Sequence, residues 1–302
     1  MLVIAFGVLR EDIYLSFDFS VPLMVTEKKI DFLKRAVGGS VHNTCRYLVS
    51  NNDSINVKFY TLNYSKLIKE LISTQKYTDM CIVIPNEELY DYPTSVVGLK
   101  ENGDKQIISY DPAINYDLLL PMFEEESLSA DIIYTSLYEV VDNNIARLTK
   151  IFMNCIKNEK VVMIDLCPYV SKFSKDTVIS LLKNVTVISG NNDEFQKLLV
   201  ILGLREISEL FEVFESVNNI FVKMGELGAL LFRKTEDGKI TQLFQKASPN
   251  HFNKNTTGCG DVFNACIIRG LCNNDNYSKI LLVAVTESAI VAKEGLPWIE
   301  TL

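Results

Sequence analysis

The chain has 302 residues, of which 48% are hydrophobic and 23% charged, a composition typical of a globular protein with a sizeable core. Acidic residues (38) outnumber basic ones (30), and the net charge of −8 disfavours nucleic acid and anionic membrane surfaces as partners. Seven cysteines without a CxxC pair are typical of free thiols in a reducing compartment, and two histidines leave little for a multi-histidine metal site or a serine–histidine triad.

The N-terminal apolar run, Met1–Leu9, has no basic segment before it. It is also far shorter than the roughly 20 residues that a membrane span needs. We therefore interpret it as a buried strand and expect a cytoplasmic protein that does not associate with membranes.

Continuous apolar runs alternate with helical patterns along most of the chain. The predicted strands are 3–6, 56–61, 131–134, 161–165, 185–189 and 219–223. The predicted helices are 44–49, 65–71, 143–157, 177–182, 194–200, 261–271 and 277–293. This alternation predicts a three-layer α/β fold, a mostly parallel sheet with helices on both faces, whose strands end at one edge where ligands bind.

Two segments interrupt this alternation. Residues 12–25 and 95–110 have apolar and polar residues in turn, and the second contains a turn at Glu101–Asp104. We interpret both as strands of a small separate sheet. The prediction is a single domain, 1–302, with a β-sheet lid formed by about 12–36 and 90–112.

The segment Asn255-Thr-Thr-Gly-Cys-Gly-Asp261 carries the strongest chemical signal. Gly258 and Gly260 allow the backbone to approach a ligand closely, and the helix that follows directs free N–H groups at this loop, as in an anion site. Asp261 would repel a phosphate as a ligand, but it suits a base that removes a proton from an attacking hydroxyl group. The structural alternative is a glycine turn followed by an acid favoured by the helix dipole.

Two further motifs follow predicted strands. Asn191 and Glu194 come just after the strand 185–189, where a carboxylate could hold Mg²⁺ on ATP phosphates, although the pattern also suits a helix cap. Lys223, Gly225 and Gly228 follow the next strand and suit a nucleotide phosphate or ribose, or else a simple hairpin.

Two N-terminal motifs suit a polyhydroxylated ligand. Gly38, Gly39 and Asn43 open a helix and could present backbone groups and an amide to a polyol, although a plain glycine turn is the alternative. Asp12, just past the first strand, could bind two vicinal hydroxyl groups, although a solvated turn acid has the same pattern.

Together, in this order and spacing, these motifs resemble the ribokinase-like, or PfkB, family of carbohydrate and nucleoside kinases, over nearly the whole chain. The resemblance implies Asp261 as catalytic base and an anion hole formed by the amides of Gly258, Cys259 and Gly260. It implies that the remaining motif residues bind the two substrates. The residues implied to bind Mg-ATP are Asn191, Glu194, Lys223, Gly225 and Gly228, with Glu194 as metal ligand. The residues implied to bind the hydroxyl groups of the acceptor are Asp12, Gly38, Gly39 and Asn43.

The implied function is transfer of the γ-phosphoryl group of ATP to a hydroxyl group of a sugar or nucleoside, with pairing of two copies through the lid as a further expectation. Asn255 stands where the family usually has Asp, which leaves a monovalent-cation site beside the loop open, and Cys259 replaces the usual Ala. A phosphosugar acceptor and a catalytically degenerate kinase that acts as a sensor or scaffold remain as alternatives.

Overall fold

The structure is a computed structural model that describes residues 1–16, 32–50, 54–62, 80–83, 93–99, 105–112, 116–248 and 256–296. The predicted helix 65–71, the turn at Glu101–Asp104 and Asn255 lie outside these ranges.

Thirteen strands occur in the described ranges. In chain order they are β1 (Leu2–Phe6), β2 (Arg10–Ser16), β3 (Phe32–Gly38), β4 (Asn56–Tyr60), β5 (Met80–Val83), β6 (Thr94–Leu99), β7 (Lys105–Tyr110), β8 (Ile132–Ser136), β9 (Val161–Asp165), β10 (Val187–Asn191), β11 (Asn219–Lys223), β12 (Gly228–Lys234) and β13 (Ile240–Lys246).

Nine of these strands form one large sheet in the order β13-β12-β11-β10-β9-β8-β1-β4-β5. The strands from β11 to β5 are parallel to their neighbours, and β12 and β13 extend the sheet in antiparallel pairs. All five residues of β8 are buried, as expected for a strand that is covered on both faces. The mostly parallel sheet that the sequence predicts is thus confirmed.

The described helices are α1 (Ser40–Ser50), α2 (Leu119–Ser127), α3 (Ile145–Lys157), α4 (Lys175–Leu182), α5 (Asn192–Leu202), α6 (Leu210–Val213), α7 (Cys259–Cys272) and α8 (Tyr277–Glu294). Helices α1, α7 and α8 pack together, and α3 packs against α2 and α4 as a second group. The helices cover both faces of the sheet, so the polar ends of the parallel strands at one edge remain available to ligands.

Strands β2, β3, β6 and β7 form a separate sheet, which we call the small sheet, in the order β3-β2-β6-β7. Its outer pairs are antiparallel and its central pair, β2 with β6, is parallel. The separate small sheet that the sequence predicts is confirmed, although of the predicted segment 12–25 the structure describes only 12–16, and β3 lies outside both alternating segments.

Candidate active site

A large cleft lies between the small sheet and the edge where the parallel strands end, with a volume of about 1280 Å³. Every site residue that the sequence predicts lines this cleft, except Gly38. The cleft extends from the ends of β10 and β11 to the start of α1 and the small sheet. The structure therefore brings together motifs that are up to 249 residues apart, from Asp12 to Asp261.

Asp261 lies in the first turn of α7 and faces the start of α1. Ser40 Oγ donates a hydrogen bond to Asp261 Oδ1 at 2.6 Å, and Asn43 Nδ2 donates one to Asp261 Oδ2 at 2.9 Å. Both carboxylate oxygens are thus held in place by side chains that follow the glycine pair Gly38-Gly39. Asn43, predicted as an acceptor ligand, also orients the predicted base.

The pKa of Asp261 is raised to about 6, chiefly because the carboxyl group is removed from bulk solvent. The hydrogen bonds from Ser40 and Asn43 oppose this shift, and nearby Asp165 and Lys223 act in opposite directions. A carboxyl group with this pKa is mostly ionised at neutral pH and remains basic enough to accept a proton.

The start of α7 has the geometry of an anion site. Gly258 precedes the helix with φ +83°, a conformation that favours glycine, and a Cβ there would lie 2.5 Å from the Leu296 side chain. Within the described part of the chain, the N–H groups of Gly260 and Asp261 have no acceptor, whereas Cys259 N–H donates to Thr256 O at a long 3.4 Å. These donors and the helix dipole favour a phosphoryl group at this point.

Asp12 lies on β2, and its buried carboxyl group lines the end of the cleft beside the small sheet. Gly38 does not line the cleft but leaves room for this group, since a Cβ at Gly38 would lie 1.8 Å from Asp12 Oδ2. Gly39 has φ +108°, and a Cβ there would lie 2.3 Å from Val8 O. Both glycines are therefore required by close packing around Asp12 and the entry to α1.

Glu139 and Arg10 also line the end of the cleft beside the small sheet, and the sequence patterns did not single them out. Glu139 is 4% exposed, and burial raises its pKa to about 8 although Arg10 opposes the shift. Arg10 pairs with Asp111, which follows β7, and its guanidinium lies 3.4 Å from Ser95 Oγ. The only available signal was position, since Glu139 follows a strand of the large sheet closely.

Asn191 and Glu194 form a capping box at the start of α5. Asn191 Oδ1 accepts from Glu194 N–H at 2.9 Å, and Glu194 Oε2 accepts from Asn191 N–H at 2.8 Å. The structural alternative for this motif is thus correct, and yet both residues line the cleft. Burial and the charge of Asp165 raise the pKa of Glu194 to about 7, while Lys223 opposes the shift.

Lys223 ends β11, and its Nζ lies 2.7 Å from Asp165 Oδ1 at the end of β9. A 3-10 turn, Gly225–Leu227, then leads into β12, so the hairpin alternative is also correct here. Gly228 has φ +112°, and a Cβ would lie 2.0 Å from Gln245 O. Asp165 is a third residue that the patterns did not assign, although its place at the end of an apolar strand was a signal.

A buried polar network fixes α7 across the sheet. Ser189 Oγ donates to Asn264 Oδ1 at 2.6 Å, and Asn264 Nδ2 donates to Tyr134 Oη at 3.2 Å. The Thr44 hydroxyl lies 3.2 Å from Tyr134 Oη and 3.2 Å from the carbonyl oxygen of Asp261. The helix that carries Asp261 is therefore positioned by two strands and α1 at once.

Comparison with protein families gives one match: the model of the pfkB family of carbohydrate kinases matches residues 78–297, well over half of the chain. This chain belongs to the pfkB family of carbohydrate kinases. By class it is therefore a small-molecule kinase, and members of this family generally use ATP and Mg²⁺. The matched range includes the motifs from Asn191 to Asp261, whereas Asp12, Gly38, Gly39 and Asn43 precede it.

Solved structures share the fold at low sequence identity. A ribokinase from Thermotoga maritima is 17% identical, with a TM-score of 0.73 over 99% of this chain and 94% of that chain. A nucleoside kinase from Burkholderia thailandensis in complex with inosine is 13% identical, with a TM-score of 0.71 over 99% and 94%. A ribokinase from Giardia lamblia is 14% identical, with a TM-score of 0.75 over 97% and 92%.

No curated protein sequence matches this pfkB-family chain. In the part of the chain that the structure describes, no helix is both long enough and apolar enough to cross a membrane.

Proposed function

We propose that this pfkB-family kinase transfers the γ-phosphoryl group of ATP to a hydroxyl group of a free sugar or nucleoside, with Asp261 as the base. The observation that carries the proposal is the Asp261 carboxylate, held by Ser40 and Asn43, beside the amide N–H groups that begin α7. A base and an anion site in adjacent positions suit in-line attack of a hydroxyl group on a phosphoryl group.

In this reaction the acceptor oxygen attacks the γ-phosphorus, and the bond from that phosphorus to the β-phosphate oxygen breaks. The proton of the hydroxyl group moves to Asp261, and the amides of Gly258, Cys259 and Gly260 stabilise the charge on the equatorial oxygens once Cys259 N–H exchanges Thr256 O for a phosphoryl oxygen. Closure of the small sheet over the cleft would exclude water and limit hydrolysis of ATP.

Glu194 and Asn191 fit a role towards Mg-ATP. Glu194 Oε2 is used by the capping box, and Oε1 has no hydrogen-bond partner among the described residues. The group is buried, and its pKa is raised, so a bound cation would favour its ionised form. Mg²⁺ bound there would neutralise charge on the ATP phosphates.

We place the acceptor at the end of the cleft beside the small sheet, where the charges favour a compound without a phosphate group. Asp12 and Glu139 line this end, and Arg10 is already paired with Asp111. A phosphosugar would bring its phosphate charge next to these buried carboxyl groups, which costs free energy wherever they are ionised and raises their pKa values further. Hydroxyl groups, in contrast, are good donors to carboxylates.

The function is tested by incubating the purified chain with Mg-ATP and separate free sugars, nucleosides and phosphosugars, with ADP formation and thermal stability measured for each. We expect at least one free sugar or nucleoside to be phosphorylated. Preferred turnover of a phosphosugar would contradict the acceptor class. A ligand that stabilises the chain without being phosphorylated would favour the sensor or scaffold alternative.

The role of Asp261 is tested by Asp261→Asn. Because the amide cannot accept the proton, we expect kcat to fall by about 10²- to 10⁴-fold while the affinity for ATP stays close to that of the parent. Steady-state kinetics and isothermal titration calorimetry measure the two effects. Turnover close to that of the parent chain would remove Asp261 as the base.

A further inference from the structure

Lys223 occupies the centre of the acidic part of the cleft. Its ammonium group forms an ion pair with Asp165 at 2.7 Å, and the two side chains are only 16% and 8% exposed. Glu194 follows the neighbouring strand, since Asn191 pairs in register with Lys223. Lys223 therefore lies where β9, β10 and β11 end side by side.

The same side chain lies against the start of α7. A Cβ on Gly260 would lie 3.5 Å from Lys223 Nζ and 3.9 Å from Lys223 Cδ. The ammonium group is thus adjacent to the backbone whose N–H groups, at Gly260 and Asp261, have no acceptor among the described residues. A phosphoryl oxygen bound by those N–H groups would be close to Nζ.

Lys223 is also a common counter-charge for the acids around it. It lowers the pKa values of both Glu194 and Asp261, whereas Asp165 raises both. Lysine carries a compact charge with three donors on a flexible stem, so it can exchange one anionic partner for another by rotation of its side chain.

We propose that Lys223 is a catalytic residue whose ammonium group leaves Asp165 and binds the transferring phosphoryl group when Mg-ATP occupies the cleft. This inference rests on the proposed phosphoryl transfer and adds a residue to it. In this step the phosphorus–oxygen bond to ADP breaks, the bond to the acceptor oxygen forms, and the hydroxyl proton goes to Asp261, so Lys223 transfers no proton. Asp165 is then a positioning residue that holds the ammonium group before the nucleotide binds.

The simpler alternative is a structural ion pair between β9 and β11. Breaking a buried pair leaves one charge without a partner and destabilises a protein whatever its function. Loss of turnover in Lys223→Met alone would not separate the two explanations. The deciding measurement therefore has to report on the phosphoryl group itself.

The test compares the affinities of the parent chain and Lys223→Met for Mg-ADP alone and for Mg-ADP with aluminium fluoride, which imitates the transferring phosphoryl group. We expect the affinity of Lys223→Met for Mg-ADP alone to lie within about threefold of the parent's. Its affinity for Mg-ADP with aluminium fluoride is expected to be about 10²- to 10³-fold lower than the parent's, as for removal of one transition-state donor. Lys223→Arg keeps the positive charge and the ion pair with Asp165, so it serves as the test if Lys223→Met does not fold. We expect Lys223→Arg to lose part of its affinity in the fluoride complex and none for Mg-ADP alone. Lys197→Met is the matched control, because Lys197 is exposed and also lowers the pKa of Glu194, and we expect it to behave as the parent.

A second readout is the pH at which kcat falls on the acid side. The groups that shift the pKa of Asp261 are Ser40, Asn43, Asp165 and Lys223, and Asp261 in turn raises the pKa of Asp12. Lys223→Met removes a cation, so the acid limb is expected at higher pH, whereas Asp165→Asn removes an anion and moves it to lower pH. These opposite shifts test whether both charges lie close enough to Asp261 to affect its pKa, and the fluoride complex decides whether Lys223 is catalytic.

The outcomes separate this inference from the proposed function. If the parent binds Mg-ADP with aluminium fluoride tightly and Lys223→Met and Lys223→Arg do so equally, the catalytic role of Lys223 is wrong while the kinase function stands. If the parent itself does not bind Mg-ADP, both the proposed function and the role of Lys223 are wrong.

Discussion

Gly38 and Asp12 lie on neighbouring strands of the small sheet, so close together that the Asp12 carboxyl group occupies the space of a side chain at position 38. The glycine is thus a requirement of packing rather than of backbone conformation. Its consequence for function is indirect, because it decides the position of the Asp12 carboxyl group, which we propose binds the acceptor.

Gly38→Ala is expected to displace Asp12, because the added Cβ would lie 1.8 Å from Oδ2. We expect kcat/KM for the acceptor to fall by about 10²-fold, as for a misplaced binding group, with KM for ATP unchanged. Gly203→Ala is the control: Gly203 has φ +76° with open space around it, far from the cleft, so only stability should fall, by about 1–2 kcal/mol. An equal change in both KM values for Gly38→Ala would contradict this role.

At the residue level, sequence motifs identified the cleft residues that stand out in the local sequence. They missed the residues whose place in the cleft depends on contacts with residues far away in the chain. The paired glycines and Asp261 stand out in the sequence. Ser40 donates a hydrogen bond to Asp261, which lies 221 residues later in the chain. The charges of Glu139 and Arg10 interact although the two residues are 129 positions apart. Neither contact leaves a local pattern, because Ser40 and Glu139 are ordinary residues until the fold brings their partners close.

At the level of elements, α5 combines a structural and a functional role in the same two side chains. Its capping box ties Asn191 to Glu194, and the helix ends at Gly203 with φ +76°. Because the cap fixes the first turn of the helix, the Glu194 carboxyl group is held towards the cleft without further support.

Glu194→Gln separates the two roles, since the glutamine oxygen can still accept the Asn191 N–H and thus keeps the cap. We expect the free energy of unfolding to stay the same or rise, while the Mg²⁺ concentration needed for half-maximal activity rises by about 10- to 100-fold. Asn191→Ala is the comparison, with a loss of about 1 kcal/mol of stability from the missing cap. Denaturation curves and Mg²⁺ titrations measure these effects; unchanged Mg²⁺ dependence in Glu194→Gln would exclude Glu194 as a metal ligand.

The sequence predicts β9 and β11 with their observed bounds, because each is an unbroken apolar run between polar residues. Helices α1 and α5 begin earlier than predicted, since their first turns are built from Ser, Asn and Asp, whose side chains favour caps and not helix interiors. Strand β5 was missed because the four residues Met80–Val83 are too few to show a period.

At the level of the whole molecule, the cleft concentrates carboxyl groups with raised pKa values. These are about 6 for Asp261, about 7 for Asp12 and Glu194, and about 8 for Glu139, in each case chiefly because of burial. Such groups bind protons more tightly in the folded chain than in the unfolded one. Their contribution to stability is therefore present at low pH and lost as the pH rises through the folded-state pKa.

The ligand-free chain is expected to lose stability between pH 6.5 and pH 8. His42 has the opposite effect, since burial lowers its pKa to about 3, but its contribution is complete above the unfolded pKa of about 6.5. Glu139, with a pKa of about 8, accounts for about 1–2 kcal/mol of the loss. Urea denaturation at the two pH values measures the loss in the free energy of unfolding, and Glu139→Gln is expected to lose about half as much as the parent. If the variant loses as much as the parent, groups other than Glu139 cause the pH dependence.

The division of the molecule into two sheets has a consequence for how its specificity can change. Arg10, Asp12, Ser95 and Asp111 reach the cleft from the small sheet or directly after it, whereas Asp261, Glu194 and Lys223 belong to the large sheet and its helices. If the small sheet binds the acceptor as proposed, substitutions in β2, β6 and β7 would alter which compound is phosphorylated and leave in place the groups assigned to phosphate chemistry. A laboratory evolution experiment for new acceptors would best randomise those three strands and leave the large sheet constant.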